Sequence, residues 1–170
     1  RDELEYKLAH DADALLDKME GISFVVEPDR QDAITRGTLS NDDFDGEMDD
    51  ASYHIESIEE KGLPIDPINA YNHMAIYLRW CMEHDLMGDE FLEEYGDVVQ
   101  KVKADPAGVD LRAFIRDELD GQLVGPMFNK IGRAFAAYYY GAYSNGQESP
   151  FFPSDIDNYA IGVIGQERNY

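Results

Sequence analysis

The chain has 170 residues and a mass of 19.3 kDa, with 44% hydrophobic and 12% aromatic residues, enough to bury a core within one domain. Its net charge of −22 excludes direct binding to nucleic acid or to an anionic membrane, since both need a cationic footprint. No apolar run approaches the roughly 20 residues of a membrane helix, and the single Cys81 excludes an internal disulfide.

Leu4, Leu8, Leu15, Leu16 and Met19 recur at helical spacing, and Gly21 stops the pattern. The opening RDELEYKLAHDADALL has neither the basic nor the apolar region of a signal peptide, which together with the lone cysteine sets the expected location in the cytoplasm. A start at Arg1 rather than Met is expected of a chain that is trimmed or cut from a longer polypeptide. ISFVVEP predicts a short strand near 22–26. Residues 28–67 are acidic and broken by Gly37, Gly46, Gly62, Pro64 and Pro67, so they read as short helices and loops.

The strongest helical pattern is 68–88. Pro67 suits its first turn and Gly88 a left-handed cap. Ile68, Tyr71, Ala75, Leu78 and Met82 form one stripe, and His73, Tyr77, Trp80 and His84 another, which describes a central, buried helix. Phe91, Leu92, Tyr95, Val98, Val99 and Val102 predict the next helix, ended by Asp105-Pro106. Asp110 caps a short helix with Leu111, Phe114, Ile115 and Leu119. A further helix runs from about Pro126 to Tyr143, and PSDIDNYAIGVIG adds a final turn or two. The predicted fold is mainly α, one domain, a bundle of about five helices. Residues 1–40 form a helix and linker, 41–67 an acidic irregular segment, 68–145 the helical core, and 146–170 a loop and short helix.

The charge is uneven. Residues 1–60 carry a net −14, whereas Gly121 to Gln147 contain no carboxylate and include Tyr138, Tyr139, Tyr140 and Tyr143. Within SNDDFDGEMDDASYH (40–54), an EF-hand reading sets Gly46 at the loop glycine and Asn41, Asp43, Asp45, Glu47 and Asp49 at ligand positions. The twelfth position is then Ser52 instead of a bidentate glutamate, so no metal is assigned. As a catalytic or metal cluster, Asp49, Asp50 and His54 could share a helical face. They need His73 or His84 brought close by the fold, and those two lie three helical turns apart. No phosphate loop, GxSxG, CxxC or HExxH motif is present, so no catalytic residue and no cofactor are assigned.

As a surface, Asp42, Asp43, Asp45, Glu47, Asp49 and Asp50 are expected to face water or a basic partner, because burying six carboxylates unpaired is prohibitive. Consecutive tyrosines span about 200° of a helix, so Tyr139, Tyr140 and Tyr143 are candidate anchors at an interface rim.

DDASYH, GLP, AYNHMAIYLRWCMEHDLMGDEF and FIRDELDGQLVGPMFNKIGRAFAAYYYGAY together resemble an uncharacterised bacterial family. In that family a D-D-A-S-[WY]-H segment precedes a helix of the type H-[IM]-x-x-[YF]-L-x-W, over roughly residues 48–145 here. Some members are similar to immunity proteins encoded beside polymorphic toxins. The resemblance implies no catalytic residues. It makes Asp49, Asp50, Ser52, Tyr53 and His54 a signature segment packed near the helix of His73, Trp80 and His84, which would serve equally as a structural lock.

The functional expectation is therefore a non-catalytic, cytoplasmic protein-binding module, an immunity protein that occludes a basic toxin domain. Two rivals stand beside it. One is a metal-binding or hydrolytic enzyme built on the Asp/His cluster, which a separation beyond about 10 Å would exclude, since metal–ligand bonds are near 2 Å. The other is a homo-oligomeric module that buries its tyrosines against a second copy.

Overall fold

The structure, a computed structural model, describes residues 2–20, 46–140, 152–168 and 170. The expected strand near 22–26, the linker, and the expected contributions of Asp42, Asp43, Asp45 and Tyr143 lie outside them. The described chain is mainly helical and forms one compact domain. Its elements are α1 (Asp2–His10), α2 (13–20), β1 (Glu47–Asp50), α3 (Ala51–Glu60), α4 (Asn72–Glu83), α5 (Asp89–Ala104), α6 (Leu111–Glu118), β2 (Gln122–Val124), α7 (Lys130–Tyr139) and α8 (Phe152–Ile164).

α4 is the axis of the core. Asn72 to Leu78 and Trp80 to Met82 are all buried, as expected of a helix that is apolar around nearly its whole circumference. A 3-10 turn, Pro67–Tyr71, leads into it, opened by the Asp66 side chain accepting from the Ile68 amide. The expected 68–88 helix ends at Glu83. Asp85, with φ 58°, takes the left-handed position expected of Gly88, which instead opens α5 with an extended backbone. α1, α5 and α6 pack around α4, and α8 packs on α1.

The expected 126–143 helix is shorter and begins later, at Lys130, with the Asn129 side chain accepting from the Gly132 amide. Gly132 is required for close packing: a Cβ there would lie 2.5 Å from the carbonyl oxygen of Leu86. Asp110 caps α6 as expected, accepting from the Arg112 amide.

Two strands occur where none was expected. β1 and β2 pair antiparallel, with Asp49 opposite Leu123, Asp50 opposite Gln122, and an irregularity between Glu47 and Asp49. EMDD and QLV are too short and too weakly alternating to read as strands. The pairing supplies what periodicity lacks, because the ladder satisfies the backbone while Met48 enters the core. The bulge re-aims the strand, and Asp49 turns inward with it.

The N-terminal helices are part of the core. Leu8, Ala12, Leu15 and Met19 are buried against the remainder of the domain. A buried polar network ties α1 down. Asn72 donates to the Glu5 carboxylate at 3.0 Å and the Tyr170 hydroxyl donates to it at 2.5 Å, while Arg112 reaches the Asn69 and Asn72 side-chain oxygens at 3.1 and 3.3 Å. Each of these side chains thus enters the core with a partner, which is the usual condition for burying a polar group.

Candidate functional site

DDASYH occupies the junction of β1 and α3, and its two aspartates do different work. Asp50 is the N-cap of α3: its side chain accepts from the Ser52 amide and from Gln122 on β2, both near 2.9 Å. Those bonds favour the ionised form and lower the Asp50 pKa. Ser52 and Tyr53 face outward, and Tyr53 donates to Glu47 at 3.2 Å. Asp49, the ninth-position ligand of the EF-hand alignment, points into the domain with a side chain only 12% exposed.

Four donors converge on that carboxylate. One oxygen faces His54 Nε2 at 3.1 Å and accepts from the Asp50 amide at 2.8 Å. The other faces His73 Nε2 at 2.7 Å and accepts the Tyr140 hydroxyl. The two imidazoles meet edge to face with ring centres 4.3 Å apart. His54 comes from the first turn of α3 and His73 from the first turn of α4, so β1, α3 and α4 meet in one point. Burial raises the Asp49 pKa, but the histidines, by charge and hydrogen bonding, outweigh it and hold the carboxyl well below its usual range. Burial pushes His73 down to about 4 despite the pull of Asp49, so at neutral pH an anionic carboxylate faces an uncharged His73 ring. Tyr140, fully desolvated beside Asp49, is pushed well above the ordinary tyrosine value and remains a hydroxyl.

These side chains line a cavity of about 220 Å³ completed by Met48, Phe152, Ile156 and Arg168. Arg168 is buried, and its Nε donates to Asp157 at 3.1 Å. The ligand atoms of Asp49, His54 and His73 lie within 4.8 Å of one another, so the separation that would have excluded the Asp/His cluster is not found. His84 is not part of it: it stacks on Trp80 with ring centres 3.5 Å apart and contacts Glu20 through Nε2 at 2.6 Å. Trp80 itself is buried in the core.

The tyrosine expectation requires correction. Tyr139 is 0% exposed and Tyr140 7%, because each hydroxyl has an internal carboxylate to reach. Tyr139 donates to Asp155 at 2.7 Å, and Lys18 meets the other oxygen of Asp155 at the same distance, which joins α7, α8 and α2. Neither tyrosine is available at an outer surface, to a partner or to a second copy. Asp49 leaves the predicted acidic surface for the same reason, whereas Glu47 stays exposed on it.

A second acidic feature was not anticipated. Glu90 and Glu94 on α5 and Glu118 and Asp120 at the end of α6 are all exposed around a groove of about 330 Å³. Its floor includes Phe91, Tyr95, Leu119, Val124 and Met127, and none of the described residues that line it is basic. The signal was present in the sequence, since Glu90 and Glu94 are one helical turn apart, but the approach of Glu118 and Asp120 depends on the α5–α6 packing.

A family model whose description is "Domain of unknown function (DUF7832)" matches residues 47–170, so an uncharacterised domain family covers the chain from β1 through α8 and beyond. No curated protein matches the chain, and no solved structure matches it.

Proposed function

The chain belongs to this family of unknown function, and from that premise we propose that it is a non-catalytic, cytoplasmic module that binds a basic protein segment in the α5–α6 groove. The single observation that supports this reading is the groove itself: four exposed carboxylates over an aromatic and aliphatic floor, with no basic residue lining it among the described residues. A Lys or Arg side chain can lay its methylene stem on such a floor while its charge meets the rim. The chain's −22 charge adds a field that accelerates encounter with a cationic partner.

The partner class we favour is a toxin domain whose basic active-site rim is blocked stoichiometrically, since DDASYH and the His73 helix resemble an uncharacterised family of which some members are similar to immunity proteins. The docking surface differs from that expected from sequence. It lies on α5 and α6, with Glu47 exposed elsewhere, and makes no use of Tyr139 or Tyr140.

The test is affinity capture from the native host at low and high salt. The bait is the chain itself and a variant carrying Glu90→Gln, Glu94→Gln, Glu118→Gln and Asp120→Asn. A basic protein retained at low salt, released at high salt and lost with the variant is the expected result. Equal retention by both baits would remove the groove from the account, and no basic protein with either would remove the partner class.

A further inference from the structure

We propose that Asp49, His54 and His73 bind one divalent transition-metal ion of the zinc class. This site is separate from the groove and does not rest on the protein-binding reading.

The geometry carries the inference. Three ligand atoms from three elements lie within 4.8 Å of one another, close enough to surround one ion with small side-chain adjustments. Both histidines present the same nitrogen, Nε2, to one carboxylate. The ligands are largely sheltered: His73 is 5% exposed, Asp49 12% and His54 23% at the side chain. Sheltering limits competition from water, and the backbone amide of Asp50 and the hydroxyl of Tyr140 keep the carboxylate oriented.

The donor set selects the metal. Two imidazole nitrogens and one carboxylate oxygen suit a borderline ion, with Zn–N near 2.0–2.1 Å and Zn–O near 2.0–2.2 Å. Calcium needs six to eight oxygens, and magnesium prefers a hydrated oxygen octahedron. Three protein ligands leave a fourth position, as in zinc sites that keep a water or an exchangeable ligand. The cavity of about 220 Å³ lies against the same three side chains, giving that ligand space.

The rest of the surroundings limit affinity. His73 Nδ1 is buried and has no hydrogen-bond partner among the described residues, so the outer acceptor that usually steadies a metal-bound imidazole is missing there. Loss of such a partner typically weakens binding about 10- to 100-fold, and the positive Arg168 in the cavity wall acts in the same direction. The expected site is therefore single and specific but weaker than a fully buttressed zinc centre.

The alternative is a purely structural lock, in which Asp49 simply holds the two histidines. Titration of the tag-free protein with Zn²⁺ in excess Mg²⁺, followed by Co²⁺ absorption, separates the two. The expected result is one Zn²⁺ per chain, a visible Co²⁺ spectrum of low coordination number, and loss of more than about 100-fold in affinity in His54→Ala, since a direct ligand contributes more than an outer partner. His54 is partly exposed on α3, so this variant retains the fold as judged by circular dichroism; Asp49→Asn provides a second variant. Absence of saturable Zn²⁺ binding by the folded wild-type chain overturns the proposal. So does Zn²⁺ that Mg²⁺ displaces or that both variants retain, because that behaviour belongs to the scattered surface carboxylates.

Discussion

Asp49 and Glu94 are both carboxylates in an acidic chain, and they stand in opposite physical situations. Asp49 is enclosed where β1, α3 and α4 meet, with every lone pair directed at a donor. Glu94 stands exposed at the groove rim beside Glu90, Glu118 and Asp120. In the first region the charge is tolerated because the fold supplies donors, so removing it leaves those donors stranded. In the second region water satisfies the charge, and the charge is available to something else. The same functional group thus fixes architecture in one place and offers recognition in the other. Asp155 repeats the first pattern, holding Tyr139 and Lys18 together.

This contrast can be broken by mutation. The largest expected effect is at the buried centre. Asp49→Ala strands His73 Nε2 and the Tyr140 hydroxyl, at about 1–3 kcal/mol for each buried unsatisfied group, so urea unfolding should show a loss of about 3 kcal/mol. A loss below about 1 kcal/mol, the size of one ordinary hydrogen bond, would mean that the centre is wet and that Asp49 is not a lock.

Next is Tyr140→Phe, which removes one of four donors and keeps the ring packed against Tyr77 and Phe152. Its expected cost is about 1.5–3 kcal/mol, the value of a bond to a charged group. A variant as stable as wild type would assign the position to packing alone. The smallest effect belongs to the groove. Replacing Glu90, Glu94, Glu118 and Asp120 with their amides should alter stability by no more than about 0.5 kcal/mol at each site, as for surface positions generally. It should nevertheless abolish salt-sensitive association. A large stability change there would erase the distinction between the two regions.

Much of the fold was legible because the signals were local. The apolar circumference of the 68–88 stretch, the Asp110 cap and the stop at Asp105-Pro106 each follow from a few adjacent residues, and each appears in the structure, the first as the buried part of α4. Helix ends were less legible. The left-handed residue after α4 is Asp85 rather than Gly88, because the chain must turn before α5 can pack. The β1–β2 ladder was not legible, since neither strand has enough residues for a period and each depends on the other across the chain. At the candidate site, the residue types Asp49, His54 and His73 could be singled out, but 19 positions separate the two histidines in the chain. Only the packing of α3 beside the start of α4 makes them neighbours.

By itself the sequence determined a mainly helical domain with a central, buried helix within 68–88, a strong negative field and no apolar run of membrane length. Those properties depend on composition and short-range periodicity, which survive in any arrangement of the elements. The tertiary structure decided which carboxylates are structural and which are offered outward. It sent Tyr139 and Tyr140 to internal carboxylates, turned Asp49 toward two histidines, and gathered Glu90, Glu94, Glu118 and Asp120 around one groove. The reason is that burial and electrostatic partnership are set by distances between residues remote in the chain.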